Sequence, residues 1–209
     1  MMKKWILKRM PQGNDKGYSK PVMEDFELVT EPIPSEADMQ EGDVVVQNFF
    51  VSVDPYVPAY CMGENYLGKA IVASVAGKVI ASRSPDFVPG DFAMSSNGGA
   101  ADFTIQSADK FKKISNDSLK VPFDPGSISI SASLGILGMP GVTSYFGLKD
   151  NIGADLQGQT IVVTGAAGAV GSAVGQLAKI WGAAKGKITM NFHIVFIICM
   201  TLSSFHTDE

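Results

Sequence analysis

A chain of 209 residues is long enough for one domain or two small ones, with a substantial core. Hydrophobic residues at 45% and charged residues at 18% describe a globular protein and exclude a disordered one. A formal net charge of -4 provides no basic footprint, so nucleic acid is not expected as a partner.

In chain order, Trp5-Ile6-Leu7 reads as a first strand. Lys3, Lys4, Lys8 and Arg9 flank too few apolar residues for a signal-peptide core. The strongest strand is the run from Val44 to Val53, entered from Gly42-Asp43 and closed at Asp54-Pro55. Residues 69–74 and 78–82 are predicted to pair around Gly77. Pro89-Gly90-Asp91 turns the chain into Phe92-Ala93-Met94, and Gly98-Gly99 into a strand over 100–105. Short strands at this spacing predict a small Greek-key-like barrel or sandwich. After a looser stretch over 129–137, Gly138-Met139-Pro140-Gly141 opens a helix through Thr143, Phe146 and Leu148. A β module followed by the start of an α/β module predicts two domains.

The segment Thr160-Ile161-Val162-Val163-Thr164-Gly165-Ala166-Ala167-Gly168-Ala169-Val170-Gly171 carries the strongest functional signal. A β-branched run ends in three glycines, and an apolar stripe at helical spacing follows (Val170, Val174, Leu177, Ala178, Trp181). This strand–turn–helix context suits a dinucleotide-binding turn, in which a helix N-terminus faces a pyrophosphate. A glycine-rich connection without a ligand is the rival interpretation. Gly175 and Ala178 are predicted to let the helix approach the strand.

Beyond Trp181-Gly182-Ala183 the composition changes. No acidic residue appears about 20 residues past the last glycine, where a ribose partner is expected; the next is Asp208. Lys185 and Lys187 either meet a 2′-phosphate or form a solvated pair. A second strand is expected within 188–198, and this apolar run is too short to suggest a membrane span. Cys61 and Cys199 are the only cysteines, and His193 and His206 the only histidines. No disulfide framework or metal site is expected, and the expected location is cytoplasmic.

The chain resembles a medium-chain dehydrogenase/reductase of the zinc-free prostaglandin (leukotriene) reductase and double-bond reductase branch. The matching pieces are Val53-Asp54-Pro55-Tyr56, Phe87-x-x-Gly90-Asp91 and Gly98-Gly99-Ala100-Ala101-Asp102-Phe103. They continue with Leu137-Gly138-Met139-Pro140-Gly141-Val142-Thr143-Ser144-Tyr145-Phe146-Gly147-Leu148 and Gly165-Ala166-Ala167-Gly168-Ala169-Val170-Gly171-Ser172. The similarity runs from about residue 3 to 183 and then ends, as in a C-terminally truncated member.

The resemblance implies an α/β plus β fold, with a GroES-like β-barrel followed by the truncated start of a Rossmann domain. The expected parts are residues 1–128, 129–183 and a divergent tail at 184–209. It further implies NADP(H) as cofactor and a small enone as substrate, whose carbon–carbon double bond is reduced. Ala167, Gly168, Ala169, Val170 and Gly171 would then lie along the pyrophosphate. Met139 and Thr143 would approach the nicotinamide, and Tyr56 would lie near the substrate cleft. Val57-Pro58 departs from the Met-Arg usual after that tyrosine. No residue is assigned catalysis, and Asp102 is expected to cap or pair locally. A homodimer is left open, and turnover by this 209-residue form is expected to be low. The alternative is an inactive fragment or isoform that acts at most as a binding protein.

Overall fold

The computed structural model describes residues 1–12, 20–60, 62–114, 119–120, 128–189 and 197–198. Two compact units divide the chain, Met1–Leu134 and Gly135–Glu209. Cys61, Cys199, His193 and His206 lie outside the described residues.

The first unit begins with β1 (Met2–Leu7), which pairs antiparallel with β2 (Phe26–Glu31). Next come β3 (Asp43–Val51), the one-turn helix α1 (Val57–Tyr60), β4 (Val75–Ser82), β5 (Phe92–Ser95), β6 (Phe103–Ser107) and β7 (Lys112–Lys113). These five strands form an antiparallel sheet in the order β6-β3-β4-β5-β7. The short strands β8 (Leu119–Lys120) and β9 (Ile128–Ser129) pair parallel. Among the described residues this main sheet has two edges, β6 and β7, and is not hydrogen-bonded into a closed ring.

Successive side chains of a strand point to opposite faces, yet Val44, Val45 and Val46 are all buried, so β3 is covered on both sides. On one face Val44 and Val46 pack with Val79, Ala93, Phe87 and Phe111. Ile130 and Leu134 join a second cluster with Ala76, Phe50 and Met94. Residues 129–134, assigned from sequence to the second part, therefore belong to the first compact unit.

Two local expectations are corrected. Gly77 does not separate two strands, because β4 runs through it without interruption. A Cβ there would lie 1.9 Å from the Gln47 carbonyl oxygen, so glycine allows the close approach beside a register shift at Asn48/Phe50. Residues 69–74 form no ladder and meet β1 through single bonds instead, Leu7 N–H to the Lys69 carbonyl (3.1 Å) and Ile71 N–H to the Trp5 carbonyl (2.9 Å). Asp102 does not cap locally; it accepts from the Lys3 amide at 2.8 Å, 99 residues away, and so ties β1 to the entry of β6.

The second unit contains α2 (Met139–Asn151), β10 (Thr160–Thr164), α3 (Ala169–Ile180), β11 (Lys185–Thr189) and β12 (Ile197–Ile198). The sheet order is β11-β10-β12, with β11 parallel and β12 antiparallel to β10. The predicted stripe packs as expected. Val174 and Ala178 bury against Ile161 and Val163, flanked by Val170, Leu177 and Trp181. Among the described residues no helix is long and apolar enough to cross a membrane.

Two carboxylates tie turns of the first unit to neighbouring segments. Asp25 is buried, accepts from the Val22 amide (2.9 Å) and from Arg9 Nε (2.7 Å), and is held below the ordinary carboxylate value, chiefly by that amide and then by Arg9. Asp91 is lowered first by the Lys113 ammonium at 2.6 Å and then by the Val88 amide. Each carboxyl binds its proton more weakly when folded than when unfolded. Their stabilisation is therefore complete above the unfolded value of 3.8 and is lost as pH falls through the lower folded values. Urea unfolding across a pH series should show stability holding down to about pH 4 and falling below it. Asp25→Asn, which does not titrate, should lower stability at neutral pH and flatten that acid limb.

Candidate functional site

The second unit places the expected phosphate-facing residues in one turn. β10 ends at Thr164, and Gly165 takes a left-handed conformation with φ of 61°. The Gly168 amide then donates to the Gly165 carbonyl at 2.9 Å, closing the turn. Gly168 is the extended N-cap of α3 and carries no side-chain cap. The first intrahelical bond runs from the Ser172 amide to the Gly168 carbonyl at 2.9 Å. The amides of Ala169, Val170 and Gly171 therefore precede the helical ladder, and Gly168 at the N-cap offers them no side chain.

Ala167, Gly168 and Ala169 are exposed and Val170 is half-buried, so the turn presents backbone to solvent. Gly171 points the other way. It is buried, and a Cβ there would lie 2.5 Å from the Gly165 carbonyl oxygen and 2.8 Å from the Ala166 Cα. Its part in the turn is the close seating of helix on strand. Gly175, predicted to serve that purpose, faces open space, with nothing within 4 Å of where a Cβ would stand. Position 175 stands one turn further along the helix, about 6 Å of rise beyond Gly171 and clear of the Gly165–Ala166 turn.

Met139 and Thr143 lie in the first turns of α2, both exposed. The N-cap of this helix, Gly138, also lacks a side-chain cap. Between them and α3 stands Ser144, which sequence reasoning passed over. It is fully buried, with its Oγ 2.9 Å from the Val170 carbonyl oxygen. At the C-terminal end of α3, Trp181 meets Tyr145 of α2 edge-on at 5.5 Å.

The register of β11 bears on the two lysines. Lys185 is level with Thr160 and Lys187 with Val162, while Thr189 is level with Thr164 at the end that leads into the glycine turn. Ligands in open parallel sheets lie outside the carboxyl ends of the strands. Neither lysine stands at that end, and the chain beyond Thr189 up to Phe196 is outside the described residues.

In the first unit, Tyr56 lies between β3 and α1, half-buried against Leu7, Val57 and Met62. Beside it is an apolar pocket of about 340 Å³ whose walls include Trp5, Phe26, Val53, Val57, Pro58 and Ile71. Tyr56 is absent from these walls; Val57 and Pro58, the departure from the expected Met-Arg, are part of them. The wall residues come from segments far apart in sequence, so no motif could have marked them. Among the described residues, no group of three or more His, Cys, Asp or Glu side chains could hold a metal ion.

A family described as the N-terminal domain of oxidoreductase matches residues 3–114. The NADPH-dependent curcumin reductase of Escherichia coli is 34% identical over 187 residues, covering 86% of this chain and 48% of that protein. Prostaglandin reductase 1 of Oryctolagus cuniculus is 34% identical over 182 residues, covering 86% of this chain and 46% of that protein. The crystal structure of CurA from Vibrio vulnificus in complex with NADPH superposes with a TM-score of 0.66 at 27% identity. It covers 90% of this chain and 51% of that one. The chain thus spans about half the length of the relatives it matches.

The two glycines of α3 should respond in opposite ways. Gly171→Ala forces the strand–helix turn apart and should cost about 1–3 kcal/mol. Gly175→Ala adds a methyl into open space inside a helix and should add about 0.5–1 kcal/mol. Thermal unfolding of the two variants beside the wild type checks both signs.

Proposed function

Because the chain belongs to the medium-chain dehydrogenase/reductase oxidoreductases, in the branch of the prostaglandin and curcumin reductases, we propose that it binds NADP(H) at the turn over 165–171 and serves the reduction of enone double bonds. The observation that carries this is the uncapped α3 N-terminus, with Ala167, Gly168 and Ala169 exposed around it. A helix N-terminus offers free N–H groups and about half a positive charge to an anion. No ionisable side chain is needed for that, and the small residues let a pyrophosphate reach the backbone. The bound nicotinamide would supply the hydride. On this proposal Met139 and Thr143, exposed on α2, face the nicotinamide, and Tyr56 lies by the substrate.

The pocket beside Tyr56 suits the apolar body of an enone, since its walls are almost entirely hydrocarbon. A second interpretation, weak cofactor binding and hence low turnover, is favoured by the register of β11. Neither Lys185 nor Lys187 stands at the carboxyl end where a 2′-phosphate would be held. NADPH fluorescence titration addresses binding, and NADPH consumption with a panel of enones addresses turnover; saturable binding with little consumption is expected of the 209-residue chain.

Ala169→Asp separates binding from folding. A carboxylate in the first helical turn interacts favourably with the helix dipole, by about 0.3–1 kcal/mol, so the melting temperature should hold or rise. The same charge repels a pyrophosphate, and the NADPH dissociation constant should rise at least about tenfold, equivalent to about 1.4 kcal/mol. Unchanged NADPH affinity in this variant would place the cofactor elsewhere.

A further inference from the structure

We infer that Ser144 is a positioning residue that fixes the first turn of α3 against α2, and so holds the backbone amides of Ala169, Val170 and Gly171 in their anion-binding arrangement. The inference rests on the cofactor site proposed above and names a side chain that would act on it without touching the ligand.

Ser144 is 0% exposed, inside α2. Its Oγ lies 2.6 Å from the carbonyl oxygen of Pro140, one turn earlier in the same helix, and 2.9 Å from that of Val170 in the first turn of α3. A hydroxyl has one hydrogen, which these two acceptors share. Among the described residues it makes the one hydrogen bond that joins α2 to α3.

The remaining support around the helix pair is apolar, through Leu148, Val174, Ala178 and their neighbours, with the edge-on Tyr145–Trp181 pair at the C-terminal end of α3, away from its first turn. Apolar contact is non-directional and tolerates small slides and rotations. A hydrogen bond has a preferred length and angle, so the Ser144 bond sets where Val170 stands. Val170 is flanked by Ala169 and Gly171, and these three residues carry the amides left outside the helical ladder. Met139 and Thr143, proposed to face the nicotinamide, precede Ser144 on the same helix. One hydroxyl thus relates the two ends of the proposed cofactor site.

The test compares wild type, Ser144→Ala and Ser144→Cys in the full chain. Three quantities are read: NADPH affinity by fluorescence, melting temperature, and amide hydrogen exchange along α3. Ser144→Ala should weaken NADPH binding by about three- to tenfold and speed exchange of the two hydrogen-bonded amides that frame the first turn of α3, those of Gly168 and Ser172. Exchange over 174–178, in the apolar part of the helix, should stay at the wild-type rate. Ser144→Cys keeps a weaker polar hydrogen and should fall between the two. Unchanged affinity in Ser144→Ala overturns the inference, as does faster exchange spread evenly over α3 and β10, which would mark a merely structural residue. Failure of the wild-type chain to bind NADPH defeats the cofactor site itself, and the inference with it.

Discussion

The second unit depends on one steric fact, the absence of a Cβ at Gly171. The first turn of α3 sits on the backbone of Gly165 and Ala166 at a distance that leaves no room for a side chain. That contact sets how closely Val174 and Ala178 approach Ile161 and Val163, and so how tightly the strand–helix pair is packed. It also orients the N-terminus of α3 above the end of β10, the position from which a helix offers its free amides to an anion. Packing and the proposed binding geometry thus share a cause.

The first unit is organised around β3, whose three consecutive valines are buried on both faces. Several residues in the sequence pieces that carry the family resemblance serve this scaffold. Phe87 packs edge-on against Phe111 at 6.3 Å, and Asp91 accepts from the Val88 amide and pairs with Lys113. Asp102 holds the Lys3 amide. These residues close turns and join strands that are distant in sequence. The apolar pocket beside Tyr56 is a product of that assembly, because its walls draw on β1, β2 and the segments after β3.

An anion site made of backbone amides differs from one made of lysines or arginines. Its positive potential comes from aligned peptide dipoles, whose charge does not titrate, and its selectivity comes from shape. Small displacements of the turn therefore matter more than the identity of its side chains, all of which are small over 165–171. On the cofactor site proposed here, a buried hydroxyl on a neighbouring helix therefore bears on a ligand it does not meet.

Local periodicity and turn chemistry determined much of this protein from sequence alone. The bounds of β10 were legible because a β-branched run ends at a glycine. The bounds of α3 were legible because an apolar stripe at helical spacing follows. The glycine turn at 165–171, proposed above to face an anion, was legible for the same local reasons. Gly77, Gly171 and Gly175 show what was not. A glycine reads identically whether it turns the chain, admits a neighbouring backbone or faces solvent, and only the packed neighbour distinguishes the three. The 99-residue reach of Asp102, the pocket walls and the Ser144 bridge were likewise decided by tertiary structure. Each depends on a contact between segments whose separation in sequence carries no periodic signal, so the partner exists only once the fold has brought the two together.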